Sequence, residues 1–210
     1  MVDFVAKDDQ LCIAYIKNLL TYLPKNYRKR PNVYKVAPFN MIKNEKINDG
    51  CYEMVVEAPL AIKKALPGQF VIVMGYEDSE RIPLTICDYD REKGTVTIVF
   101  QAIGAGTLKM TSLTEGDAFH DFVGPLGCPS EFVKEDIEEL KKKNILFVAG
   151  GVGTAPVYPQ VKWLHERGVA VDVIVGAKTS DLVIYKEEME AVCDNLYLCT
   201  DDGSAGFKGL

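Results

Sequence analysis

The sequence predicts two folded parts in series: a small antiparallel β-barrel or sandwich, then the beginning of a doubly wound α/β domain with a parallel sheet. Three observations carry this. Residues 33–127 read as short strands punctuated by turns. After Pro129 the hydrophobic period changes, and strand-like and helix-like segments alternate. A glycine cluster, "AGGVGTAP", falls where the first of those later strands runs into a helix.

At the N-terminal end, residues 1–31 differ in kind from the rest of the chain. Cys12, Ile16, Leu19, Leu20 and Leu23 recur at helical spacing, which predicts a short amphipathic helix that Pro24 stops. The next stretch, "KNYRKRP", is strongly basic and reads either as a solvated linker or as a docking surface for an acidic partner. Residues 32–130 form the barrel. "CYEMVVEA" alternates Tyr52, Met54 and Val56 on one face, "QFVIVMG" is a buried apolar run entered through "LPGQ", and "GTVTIVFQAI" alternates again after "DREKG". "GDAFHDFVGPLG" closes the set with a Gly-Pro turn. Residues 131–210 form the α/β part. "SEFVKEDIEELKKK" predicts a charged connecting helix, "NILFVAGG" a buried strand, and "APVYPQVKWLHERG" a helix with Val157, Val161 and Leu164 on one face. "VAVDVIVGA" predicts a second buried strand, "DLVIYKEEMEAVCDN" another helix and "LYLCTDDG" a third strand.

Composition narrows the function classes. With 210 residues, 48% of them hydrophobic, the chain buries a normal core, and a net charge of -6 argues against a dedicated nucleic-acid binder. The expected partners are small molecules or another protein. No apolar run approaches the roughly 18 residues of a membrane span. Asp3, Asp8 and Asp9 stand where a secretory signal needs a basic start, so the expected location is cytoplasmic. The six cysteines (Cys12, Cys51, Cys87, Cys128, Cys193 and Cys199) show no C-x-x-C and no histidine at ligand spacing, and read as small buried or loop residues. His120 and His165 carry no triad or metal pattern and read as structural.

Two constellations carry chemistry. In "AGGVGTAP", Gly150, Gly151 and Gly153 strip side chains from a strand-to-helix turn, and Thr154 and Pro156 suit the first turn of the helix. Bare N–H groups at a positive helix end form a place for a pyrophosphate, although tight packing of helix on strand also favours glycine. In the barrel, "ERIPLTICDYD" and "VFQAIGAGTLKM" offer the planar donor fork of Arg81, the hydroxyl of Thr85 and more bare amides at "GAGT". The plainer alternative pairs Arg81 with Asp88 or Asp90 on the barrel surface.

Together, "GQFV", "RIPLTI", "GAGT", "GDAFHDFVGPLG", "AGGVGTAP" and "TDDGSAGFKG" resemble, in order and spacing, the ferredoxin-NADP reductase superfamily. Within it they are similar to electron-transfer subunits of the dihydroorotate dehydrogenase and NADH-dependent reduced ferredoxin:NADP oxidoreductase (sulfide dehydrogenase) type. The resemblance covers residues 33–210. It implies a six-stranded-type FAD-binding barrel and a C-terminally incomplete, doubly wound domain that binds NAD(H) or NADP(H). A hydride would pass between nicotinamide and flavin, and electrons on to a larger protein subunit. It implies further that Pro83, Leu84 and Thr85 lie along the flavin, with Val99, Phe100 and Gln101 on the next strand. Gly106 and Thr107 would hold the flavin pyrophosphate, with Arg81 on the phosphates. Gly150, Gly151, Gly153, Thr154 and Ala155 would take the pyridine nucleotide. Gly176, Ala177 and Lys178 would lie near its adenosine ribose, and Asp201 and Asp202 at the far edge.

The chain departs from the pattern in two places. The wider superfamily sets its arginine three residues before the hydroxyl; here Ile82 holds that place and Arg81 stands one earlier. Related subunits also continue into a four-cysteine segment that ligates a 2Fe-2S cluster; these cysteines lack that clustering, so the cluster is not expected in residues 1–210, and only a longer form could carry it. The closing "TDDGSAGFKGL" accordingly reads as a loop cut before its next strand, with the third strand left as an edge. No acid–base residue is needed, since hydride transfer is cofactor chemistry that the protein orients. Lys178 near the ribose could meet a 2'-phosphate but has no second cation beside it in "TSDLV", and the resemblance to NADH-linked subunits tips the expectation to NAD(H) over NADP(H). The alternatives are a nucleotide-binding or docking module without turnover, and a stand-alone flavin reductase.

Overall fold

The computed structural model describes residues 39–209. The predicted 11–23 helix, the basic 25–31 stretch, Cys12 and Leu210 lie outside them.

Strands β1 (Phe39–Lys46), β2 (Cys51–Glu57), β3 (Phe70–Met74), β4 (Ile82–Asp90), β5 (Thr95–Gln101), β6 (Ala118–Phe119) and β7 (Asp121–Leu126) make one antiparallel sheet. Its order is β6-β1-β2-β5-β4-β3-β7. Only His120 separates β6 from β7, so one bent segment pairs with β1 at its start and with β3 at its end. Counted once, that segment closes a barrel of six strands. Alternation fills the inside: Met54 and Val56 from β2, Val71 and Val73 from β3, and Val96, Ile98 and Phe100 from β5 are buried together. The apolar run of β3 is therefore not buried throughout. Phe70, Ile72 and Met74 point to the outer face and stay partly exposed, because a closed sheet has one core.

At β4 the alternation breaks. Ile86 pairs with Ile98 but Asp88 pairs with Thr97, which leaves Cys87 as the extra residue of a bulge. Ile86 stays in the barrel core, while Cys87, equally buried, turns outward and joins Val99 in a second apolar cluster. That second cluster is the core of the α/β part. The barrel and the parallel sheet are thus joined along an apolar seam.

The parallel sheet has the order β11-β10-β9-β8, with β8 (Ile145–Gly150), β9 (Val171–Ala177), β10 (Asn195–Thr200) and β11 (Phe207–Lys208). Helices α4 (Thr154–His165) and α5 (Lys186–Glu190) contribute Val161, Leu164 and Met189 against Val171, Val173 and Val175 on one face. The other face carries Leu146, Val148 and Tyr197 exposed, so the strand read as buried throughout in "NILFVAGG" is covered on one side only.

Three further expectations change. "SEFVKEDIEELKKK" is not one helix but a 3-10 turn (Glu131–Lys134) and a single α turn, α3 (Ile137–Leu140). Glu135 is extended, and the Asp136 carboxylate caps the Glu138 and Glu139 amides to start afresh. "DLVIYKEEMEAVCDN" is likewise interrupted, with an extended Val183 and a left-handed Tyr185 before α5. The third parallel strand, β10, is not left as an edge. The closing loop reverses through Gly203 and Gly206, both at positive φ, and lays β11 beside it. Thr200 Oγ1 pins that reversal by donating to the Ala205 carbonyl and accepting from its amide. A side chain at Gly206 would run into the Leu198 carbonyl. The barrel's own short helices, α1 (Pro59–Ile62) and α2 (Ala105–Met110), lie in its connections.

Candidate functional site

The glycine turn continues directly from β8: the strand ends at Gly150, one 3-10 turn (Gly151–Gly153) intervenes, and α4 starts at Thr154. A Cβ on Gly151 or Gly153 would meet nothing within 4 Å, and one on Gly150 would meet only the Gly176 carbonyl, at 3.8 Å. Crowding between helix and strand therefore does not require glycine here. What remains is a left-handed backbone at Gly151 (φ 52°) and open space in front of the amides. Behind the turn, Thr154 and Ala155 are buried, and Thr154 Oγ1 finds no hydrogen-bond partner among the described residues. These two residues offer the site backbone rather than side chains, and an orphaned buried hydroxyl is a feature that folded proteins rarely keep without use.

The turn opens into a crevice of about 770 Å³, a volume suited to a small-molecule site. Residues 148–152, Ile174, Gly176, Ala177, Lys178, Leu182, Cys199, Asp201 and Gly209 form its α/β wall. Register explains the assembly: Gly150 lies beside Gly176, and Gly176 beside Cys199, so the strand ends bring three loops to one edge. Asp202, by contrast, builds its loop. Its carboxylate accepts from the Ser204 hydroxyl and amide, bonds that hold it below the usual carboxylate range, and Ser204 Oγ in turn accepts the Ser180 amide.

The opposite wall comes from the barrel: Asn48 and Asp49 in the β1–β2 turn, Cys51 at the start of β2, and Gln101 at the end of β5. The family resemblance implies Gln101 beside the flavin; it does not single out the other three. The signal for them is the "NDG" turn, with Gly50 at φ 100°, which marks a hairpin tip at the rim of the barrel. Burial pushes the Cys51 thiol up, which keeps it a neutral wall residue rather than a reactive thiolate.

The remaining barrel residues sit apart from the crevice lining. Pro83, Leu84 and Thr85 lie on β4 opposite Ile72, Val71 and Phe70. Val99 is buried in the seam, and Phe100 points into the barrel core, its ring centroid 6.1 Å from that of Tyr52. Phe100 can therefore serve a ligand only through its backbone. The Thr107 hydroxyl accepts the Ile103 and Gly104 amides at 3.1 and 3.0 Å, fixing the 104–107 turn. The Gly106 amide donates to Glu80 Oε1 at 3.2 Å, so this turn already holds an anion, and a side chain at Gly106 would run into that carboxylate. Arg81 pairs with Asp121 of β7 rather than with Asp88 or Asp90, while Asp88 pairs with Lys162 of α4 at 2.8 Å across the seam. Among the described residues no group of three or more His, Cys, Asp or Glu side chains could hold a metal ion, and Cys51, Cys87, Cys128, Cys193 and Cys199 are free thiols.

A closed barrel joined to a parallel sheet, with a crevice walled by both, defines a ferredoxin-NADP reductase-like protein. The fold is shared with the ferredoxin-NADP+ reductase of Plasmodium falciparum, at TM-score 0.60 and 16% identity, over 80% of this chain and 71% of that one. A solved NADH-dependent reduced ferredoxin-NADP oxidoreductase is nearer, with TM-score 0.74 and 38% identity over 83% of this chain and 60% of that chain. The dihydroorotate dehydrogenase B (NAD(+)) electron transfer subunit of Fusobacterium nucleatum is 31% identical over 84% of this chain and 67% of its own length. A homologue of that subunit in Thermotoga maritima is 41% identical over 81% of this chain and 57% of its own. The chain belongs to this family of electron transfer subunits and their homologues. It spans less than two thirds of the length of several curated relatives that it matches, for example 57% and 64%. No family model matches it.

Proposed function

We propose that this chain carries the flavin and pyridine-nucleotide sites of an NAD(P)H-dependent electron-transfer flavoprotein. The observation that carries the reading is the two-sided crevice, in which a bare glycine turn on the parallel sheet faces the rim of the barrel. FAD, when bound, supplies the hydride acceptor. The chain's own residues bind and orient. The 104–107 turn and Arg81 take the flavin phosphates, β4 and β5 give backbone edges to the ring, and the 150–153 turn takes the nucleotide pyrophosphate at the start of α4. Gly153, Thr154 and Ala155 contribute to that last site through the backbone, and Gly176 and Ala177 leave room for the ribose.

The favoured nucleotide is NAD(H). A 2'-phosphate needs cations, and the crevice lining offers Lys178 against the carboxylates of Asp49 and Asp201. Electrons then pass to a larger partner subunit; the named function of the relatives supports this, and a cytoplasmic location fits it. Among the described residues no helix is long and apolar enough to cross a membrane. No 2Fe-2S site is proposed within residues 39–209.

Absorption spectroscopy tests the reading. The purified protein should take up FAD, turn yellow and bleach on adding NADH, faster than with NADPH. A colourless protein that does not retain FAD overturns the enzyme reading in favour of a docking or nucleotide-binding module, and faster reduction by NADPH overturns the nucleotide preference.

A further inference from the structure

The seam contains a residue that neither site explains. Tyr185 has φ 57°, the one positive φ of a non-glycine residue among those described, in a backbone region that an aromatic side chain seldom takes. It is 9% exposed, its ring lies 5.2 Å from that of Tyr158 on α4, and its hydroxyl donates to Glu53 Oε2 on β2. Glu53 is the partner across the seam. Its other oxygen accepts from Lys43 at 3.0 Å, and it stands two residues from Cys51, on the same outer face of the barrel. On the α/β side, Tyr185 is three residues beyond Leu182, and both Leu182 and Cys51 line the crevice. A second bond runs parallel to the first, from Asn48 Nδ2 to the Leu182 carbonyl at 3.1 Å.

We infer that Tyr185 is a positioning residue whose bond to Glu53 holds residues 178–185, one wall of the crevice, at a fixed distance from the barrel rim. The left-handed backbone is what aims the phenol at β2. Tyr158 keeps the ring in place, while the hydroxyl is the part of Tyr185 that bonds Glu53, so the two contributions of this side chain can be separated. The inference rests on the proposed function for its catalytic consequence, since hydride transfer is sensitive to small displacements of the donor from the acceptor.

Tyr185→Phe keeps the ring and its packing and removes the tie. Glu53→Ala removes the acceptor, Glu53→Gln keeps an acceptor oxygen, and Lys43→Gln removes the other pair of Glu53 without touching the phenol. Hydrogen exchange on the protein without added nucleotide should show faster exchange across residues 178–186 in Tyr185→Phe and Glu53→Ala, and wild-type exchange in Glu53→Gln and Lys43→Gln. Stopped-flow reduction of the FAD-loaded protein at saturating NADH should slow by about ten- to a hundredfold in the first two variants, with nucleotide affinity little changed. The double variant should be no slower than either single one. Wild-type exchange and rate in Tyr185→Phe, with only a lower melting temperature, would make Tyr185 merely structural and overturn the inference. A wild-type protein that takes up no FAD defeats the proposed function instead, and the exchange comparison alone then decides the tie.

Discussion

The two glycine-containing turns offer the same chemistry and stand in opposite conditions. Both present bare amides at the start of a helix, and both read as phosphate sites on that ground. At 150–153 the turn faces open space, since a Cβ on Gly151 or Gly153 would meet nothing within 4 Å. At 104–107 the Gly106 amide is already engaged by the Glu80 carboxylate, and the neighbouring guanidinium of Arg81 by Asp121. Sequence pattern alone makes the turns look equivalent; the carboxylates around them do not. On the proposed function, the nucleotide would meet an open turn, whereas the flavin phosphates would have to displace one internal anion and draw Arg81 away from another.

That contrast can be broken at the open turn first, where the largest effect is expected. Gly150→Val places a branched side chain at an extended position (φ -140°), where an added Cβ meets only the Gly176 carbonyl beyond its chain neighbours, at 3.8 Å. The fold should hold, with a melting temperature near wild type, while titration calorimetry shows nucleotide affinity down about a hundredfold, or some 2.7 kcal/mol. Unchanged nucleotide affinity would mean that the crevice is not the nucleotide site. At the occupied turn the sign reverses. Glu80→Ala frees the Gly106 amide and should strengthen FAD binding by about five- to tenfold, near 1 kcal/mol, the net scale of one hydrogen bond. Glu80→Gln, which keeps an acceptor without the charge, should fall between. Weaker FAD binding in Glu80→Ala, followed by flavin fluorescence, would show that the carboxylate supports the ligand rather than competing with it.

Much of this architecture was legible in the sequence because it depends on local period. The alternation of Met54 and Val56 on β2, of Val96 and Ile98 on β5, and the 3.6-residue spacing of Val161 and Leu164 on α4 all hold in the structure. The seam was not legible. Cys87 faces the α/β core only because a bulge inserts it between paired residues, and nothing in "LTICDY" announces a bulge. Tyr185 looks like one more helix residue until its backbone turns left-handed, and Phe100 looks available to a ligand until the barrel closes around it. In the candidate site the glycines stand out by residue type, whereas Asn48, Asp49 and Cys51 need the approach of two sheets. Period reports which face of an element is apolar; it does not report which other element covers that face.

The smallest expected effect concerns the second anion at the occupied turn. Arg81 and Asp121 are both partly exposed, and such pairs contribute about 1 kcal/mol or less because water and salt screen them. Asp121→Asn should therefore leave the barrel intact, since Asn retains an oxygen that can accept the Phe122 amide as Asp121 Oδ1 does. With its carboxylate gone, Arg81 becomes free to turn toward a phosphate, and FAD affinity should rise about twofold at low salt. The gain should shrink as ionic strength rises, because the competing pair was itself screened. Arg81→Ala in the same background should abolish it. If Asp121→Asn and wild type bind FAD equally at low salt, Arg81 takes no part in holding the phosphates, and its displacement by one residue from the superfamily pattern has moved it out of the site.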